Sequence, residues 1–202
     1  KSTTGDDMIL FCVIPDEQNE TVCLSATIKE EWISRIADGD MQAFEKLYYA
    51  SYQAVYGFLL SMLKNQQDAE DILQDTFINI KNGAHLYKPS GKPLAWMFTI
   101  AKNLAYRKIQ KESLYETTPY DLLENRLDFS SVEDQEDRLA LEGAFSVLTD
   151  EERQIILLHA NTGMKHREIA SLLEIPLSTV LSKYRRGLKK LKNYMEGVTS
   201  GE

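Results

Sequence analysis

Two cysteines, Cys12 and Cys23, are all that the 202 residues contain, which excludes a disulfide framework and fits a reducing cytoplasm better than secretion. A single bridge between the two stays open. Histidine is nearly as scarce. His85, His159 and His166 stand apart and none lies at ligand spacing with a cysteine, so the sequence offers no metal site and no cofactor anchor. There is no glycine-rich phosphate loop and no nucleophile motif, and catalysis on a small-molecule substrate finds no support. Long apolar runs are missing too: none approaches the roughly 18 residues that a membrane span requires. Residues 8–14 are too short, and lack the basic flank, to serve as a signal peptide. The expectation is a soluble, cytoplasmic protein. The chain opens on Lys1, and Met8 is the candidate for a natural start.

Positive charge is in short supply overall but unevenly spread. The formal net charge is −8 and the pI about 5.0, a balance that argues against a nucleic-acid partner until position is considered. From residue 165 to 192 there are eight Lys or Arg against Glu168 and Glu174, a local net of +6. From 112 to 137 there are nine acids against Arg126, a local net of −8. A cationic segment and an anionic one thus sit well apart in the chain.

Strand periodicity is absent after residue 28, and the hydrophobic pattern there is helical throughout. Residues 1–27 carry no helical stripe; Ile9 to Ile14 has strand-like composition, and no role is assigned to this extension. Ile28, Trp32, Ile33 and Ile36 predict one short helix, and Met41, Phe44, Leu47 and Tyr48 a second after Asp38-Gly39-Asp40. Tyr52, Val55, Leu59, Met62 and Leu63 predict a third, ending near Lys64-Asn65. Asp68 then serves as N-cap of a fourth helix running to about Lys81. Pro93 opens the longest amphipathic helix of this half, to about Lys111, with Leu94, Met97, Phe98, Ala101, Leu104 and Ala105 inward. The acidic stretch 112–137 reads as a linker.

A second helical unit follows, from about 138 to 195, with a tail at 196–202. Leu139 to Leu148 suggests a first helix, and Thr149 with Glu152 forms the spacing of a capping box for the next. Thr162-Gly163 breaks it, His166–Leu173 forms another, and Ser178 caps a last helix whose inward side carries Val180, Tyr184, Leu188 and Leu191. The expected fold class is all-α: two small helical domains, 28–111 and 138–195, joined by the acidic linker.

Three segments carry functional signals. Arg167 to Val180, two helical runs around a tight turn followed by a basic helix, describes a helix-turn-helix, whose second helix enters the major groove of duplex DNA. On that helix Thr179, Ser182, Lys183, Arg186 and Lys190 fall opposite the apolar side, offering hydroxyls and cations to phosphates and base edges. On the helix from Pro93, the positions Lys92, Trp96, Thr99, Asn103, Arg107 and Gln110 line one side, away from the apolar stripe. A tryptophan among amides and cations suits a surface that stacks on unpaired bases and follows a phosphate strand. On the helix from Asp68, the exposed face carries Asp71, Gln74, Asp75 and Ile78, a mixture suited to a protein interface.

Taken in this order, the three segments resemble those of the extracytoplasmic-function (ECF) sigma factors, the two-domain minimal form of the sigma-70 family, over roughly residues 28–195. Asp68 to Phe77 resembles the motif that binds the polymerase clamp, Lys92 to Ala105 the segment that melts and reads the minus-ten element, and Glu168 to Arg186 the minus-thirty-five reader. The resemblance implies a transcription initiation factor that docks on core RNA polymerase and holds promoter DNA. By position it implies that Asp71, Gln74, Asp75 and Ile78 touch the clamp, that Ser178, Thr179, Ser182, Lys183 and Arg186 meet duplex, and that the loop 83–92, with Tyr87, captures a flipped base. It implies that the acidic linker threads a polymerase channel otherwise taken by nucleic acid, and that an anti-sigma factor, often membrane-attached, holds the protein inactive. Two positions depart from the family pattern: Glu174 stands where the turn usually has Gly, and Leu181 where the recognition helix often has Lys. The competing reading is a stand-alone helix-turn-helix regulator, which binds duplex without polymerase and often as a symmetric dimer.

Overall fold

The computed structural model describes Leu24, residues 28–115 and residues 143–199. The strand-like run 9–14, both cysteines, most of the acidic stretch and Leu139 lie outside the described residues. Those that are described hold helices and no strand, as the periodicity requires. Contacts divide the chain into two compact units, one of them Cys23–Asn125 and the other including Arg126–Glu202.

In the first unit, α1 (Glu30–Ala37) begins with two acids that favour the positive end of its dipole, ends with Arg35, and buries Ile33 and Ile36. Asp40 joins it to α2 (Met41–Leu63). One carboxylate oxygen accepts from the backbone N–H groups of Gln42 and Ala43 at 2.8 and 3.1 Å, and the other holds the Arg35 guanidinium at 2.6 Å. α2 runs unbroken for 23 residues, where the sequence pattern predicts two helices. No Gly or Pro interrupts it between Tyr48 and Tyr52. Ser51, buried at the shift in the apolar stripe, donates its hydroxyl back to the Leu47 carbonyl at 2.6 Å, and the Tyr48 and Tyr52 rings stack at 5.5 Å.

Lys64, in the left-handed region at φ 56°, closes α2. The cap of α3 (Gln66–Gly83) is Asn65, which accepts from the Asp68 N–H at 3.0 Å. Asp68, expected to cap, lies inside the first turn and pairs with Lys108 of α4 at 2.7 Å. A 3-10 turn (Ala84–Leu86) follows. α4 (Pro93–Tyr115) matches α2 in length and runs past the predicted end at Lys111. Its extra turn is held by Lys108, which reaches Glu112 at 2.8 Å, so the first acid of the expected linker is helical. Phe98 of α4 meets Phe58 of α2 edge-on at 5.3 Å, both rings fully buried.

The second unit has helical residues 143–146, then α5 (Asp150–Thr162), α6 (His166–Leu173) and α7 (Leu177–Thr199). The capping box is present: Glu152 N–H donates to the Thr149 hydroxyl at 3.3 Å, and Thr149 N–H to the Glu152 carboxylate at 3.0 Å. Gly163 (φ 70°) ends α5, and Glu174 takes the left-handed conformation (φ 58°) that ends α6, the position where the family pattern has Gly. Helix α7 begins one residue before Ser178, so Ser178 is in its first turn and does not cap it. The first turn closes on the Pro176 carbonyl, which accepts from Thr179 and Val180 at 2.9 and 3.1 Å. Gly187 lets α7 approach α5 closely, since a Cβ there would fall 2.6 Å from Ile156 Cδ1.

Candidate functional site

Helix α4 presents the predicted polar stripe. Lys92, Thr99, Asn103 and Arg107 are exposed, as is Gln110, although the Thr99 hydroxyl is engaged with the Ala95 carbonyl at 2.6 Å. Trp96 is half-buried. Its ring lies 5.1 Å from that of Tyr87 at a 57° tilt, and one edge rests over Gly83. Tyr87, expected to be available for stacking from its loop, is held instead: its hydroxyl donates to Glu30 Oε1. The same oxygen accepts from the N–H groups of Ser90 and Gly91 at 2.8 and 2.6 Å. The Tyr87 hydrogen bond, then the Gly91 and Ser90 amides, hold the Glu30 carboxyl below its ordinary value. Glu30 was invisible to sequence reading because its partners lie 57 and more residues away, and no local pattern marks such a contact. Lys102 is another surprise: it is buried within α4, its ammonium 5.8 Å from the Tyr106 ring centre.

On α3 the side chains of Asp71, Gln74, Asp75 and Ile78 are all exposed and follow the spacing of one helix face. Ile78 is 54% exposed, a large aliphatic group in water among acids and an amide. The neighbouring Phe77 turns inward against Phe44 and Tyr48.

The basic helix α7 is rotated from the sequence-based assignment. Ser178 and Ser182 are exposed, but Thr179 is half-buried. Lys183 pairs with Glu151, and Lys190 reaches Glu152 Oε2 at 2.7 Å. Arg186, still 62% exposed, has Nε 3.9 Å from Glu152 Oε1. Lys183 and Lys190 thus line the side that meets the acidic start of α5, with the exposed Arg186 at its edge. Burial alone would raise the Glu152 carboxyl, but the Lys190 ammonium and the Thr149 amide outweigh it and hold the group below its ordinary value. Arg185 and Lys189 are exposed and share helical spacing with Ser178 and Ser182; Arg186 and Lys192 are exposed as well. Lys165 and Arg167, at the start of α6, are exposed as well. Sequence reading missed the rotation because the buried side of α7 is centred on Val180, Gly187 and Leu191, and a glycine carries no hydrophobic signal.

Behind α7, His159, His166 and Tyr184 form a compact cluster with ring centres 4.4 to 5.0 Å apart. His159 Nδ1 lies 2.9 Å from the Met164 carbonyl. His166 Nε2 is buried without a partner; burial first, then the His159 charge, lowers its affinity for a proton. Among the described residues no group of three or more His, Cys, Asp or Glu could hold a metal ion, and no helix is long and apolar enough to cross a membrane.

Comparison with known proteins agrees in order and extent. The family described as Sigma-70 region 2 matches residues 47–114, and that described as Sigma-70, region 4 matches residues 138–191. The ECF RNA polymerase sigma factor SigK of Mycobacterium ulcerans (strain Agy99) is 29% identical over 172 residues, covering 81% of this chain and 91% of that protein. Among solved structures, the sigma factor RpoE in complex with the anti-sigma factor NepR from Bartonella quintana is similar with a TM-score of 0.65 at 20% identity, covering 77% of this chain and 98% of that one. CnrH, solved in complex with the cytosolic domain of CnrY, has a TM-score of 0.58 at 21% identity, covering 83% and 97%. The chain belongs to the ECF group of the sigma-70 family and is an RNA polymerase sigma factor. The stand-alone regulator reading is not favoured, since it accounts for the second matched region and leaves the first without a role.

Proposed function

We propose that this sigma factor divides its work between three faces. The α3 face of Asp71, Gln74, Asp75 and Ile78 docks on core polymerase. The α4 stripe of Lys92, Trp96, Thr99, Asn103 and Arg107, with the loop carrying Tyr87, receives the opened strand of the minus-ten element. The outward side of α7 holds minus-thirty-five duplex. There Ser178, Ser182 and Arg186 act with Arg185 and Lys189, while Thr179, Lys183 and Lys190 contribute through the packing of α7 on α5. The domains carrying these tasks span 28–115 and 138–195, the acidic segment between them occupying a cationic polymerase channel. All bond-making stays with the polymerase, and the protein acts in the cytoplasm. NepR and CnrY are partners of the similar structures; by analogy an anti-sigma factor, membrane-attached or not, covers the polymerase-facing side here.

The observation that carries this reading is the aromatic pair Tyr87–Trp96 at the head of a stripe of exposed amide and cationic groups. Aromatic faces bind unstacked bases and the cations follow phosphates. Open-complex formation by reconstituted holoenzyme tests it. Trp96→Ala is expected to lower the open fraction by about tenfold, on the scale of one lost base stack, and Arg107→Ala to lower it through one lost phosphate contact. Unchanged opening in both variants contradicts the strand-binding assignment.

A further inference from the structure

One oxygen of Glu30 gathers three donors from the far side of a gap of 57 to 61 residues: the Tyr87 hydroxyl and the amides of Ser90 and Gly91. Beyond the Tyr87–Trp96 ring contact, the Tyr87 N–H bond to the Ala84 carbonyl at 3.1 Å and a hydrogen bond between Ser90 and the Tyr87 hydroxyl, the segment it gathers has little else to order it. Lys88, Pro89, Ser90, Gly91 and Lys92 are all exposed, Pro89 has no N–H to offer, and Gly91 sits at φ 71°. Fixing such a stretch costs backbone entropy at every residue, so the three hydrogen bonds are its main anchor. The acid is itself well founded. It is the first residue of α1, where the helix dipole favours negative charge, and α1 packs on the 3-10 turn that leads into the loop. With its hydroxyl pinned, the Tyr87 ring leans on Trp96 at a fixed tilt.

We infer that Glu30 is a positioning residue for the strand-reading pocket: by pinning the Tyr87 hydroxyl and the Ser90 and Gly91 amides, it preforms the aromatic edge that discriminates one unpaired base. The inference rests on the proposed role of this loop in holding the opened strand. Two physical effects of removing Glu30 oppose each other, which makes the role separable from a general one. Loss of a negative charge near a phosphate strand raises affinity for any single strand. Loss of the preformed edge lowers the difference between a strand with its base and one without it.

The test uses full-length protein bound to core polymerase. Its probes are fluorescent single-stranded oligonucleotides with the non-template sequence of a promoter that this holoenzyme opens, intact or with one base removed at each position in turn. In the wild type, one abasic position is expected to weaken binding by about tenfold, the scale of a single stacked base. In Glu30→Gln, which keeps the size but leaves a neutral oxygen facing three donors, that penalty is expected to fall below about threefold while the intact oligonucleotide binds as well or better. Tyr87→Phe, which removes one donor and leaves α1 untouched, is expected to give an intermediate penalty. A full penalty retained in Glu30→Gln overturns the inference. If that variant no longer binds core polymerase, Tyr87→Phe decides, and an unchanged penalty there overturns it. A wild type that shows no penalty at any position refutes base capture itself, and the role of Glu30 falls with it.

Discussion

Glu174 occupies a backbone conformation (φ 58°) that an L side chain adopts at a cost of roughly 1–2 kcal/mol and glycine adopts freely. Glu174→Gly is therefore expected to stabilise the second unit by about 1 kcal/mol, read as a higher midpoint in urea; a lower midpoint contradicts the strain. Glu152 works in the opposite sense. Its carboxylate is 1% exposed, closes the capping box and meets Lys190. Glu152→Ala removes a cap and leaves a partly buried ammonium without its partner, for a loss of about 2 kcal/mol. An unaltered denaturation curve contradicts that account.

Among the elements, α7 decides how DNA is held, and its cations fall into two groups. Arg185 and Lys189 point outward, whereas Lys183 and Lys190 are paired with Glu151 and Glu152. Replacing Arg185 or Lys189 by Ala is expected to reduce the salt slope of duplex binding by holoenzyme by about 1 each, whereas Lys183→Ala and Lys190→Ala leave it nearly unchanged. The reverse pattern restores the sequence-based assignment. The packing of α7 on α5 and α6 carries a pH dependence of its own. His166 is half-buried, its Nε2 atom out of water without a partner, and its proton affinity is lowered, so the unfolded chain binds a proton more readily than the fold. Stability is then intact above the unfolded value of about 6.5 and falls as the pH drops below it. The thermal midpoint of the second unit is expected to fall between pH 7.5 and 5.5, and His166→Gln to flatten that fall.

What the sequence made legible at this scale was local chemistry. The capping box at Thr149, the break at Gly163 and the turn at Glu174 each depend on residues a few positions apart. So does the face of α3, whose polar members repeat at helical spacing. The errors were equally physical. Asp68 was as good a capping residue as Asn65, and only the packing of Lys108 against it decided between them. The phase of α7 was misread because Gly187 is buried for closeness and not for hydrophobicity. The loop tether to Glu30 and the burial of Lys102 depend on tertiary neighbours, which no periodicity encodes.

For the whole molecule, charge segregation is the organising fact. The net charge of −8 disfavours indiscriminate DNA binding, yet the basic segment turns a cationic face to water. Such a chain is expected to hold duplex weakly alone and firmly once the polymerase supplies the second attachment, because linked sites bind at high effective concentration. Run-off transcription with purified core polymerase on the promoter of the protein's own operon tests this most directly. A transcript from one discrete start, appearing only when the protein is added, is the predicted result. No transcript, together with tight binding of the protein alone to the same duplex, contradicts it.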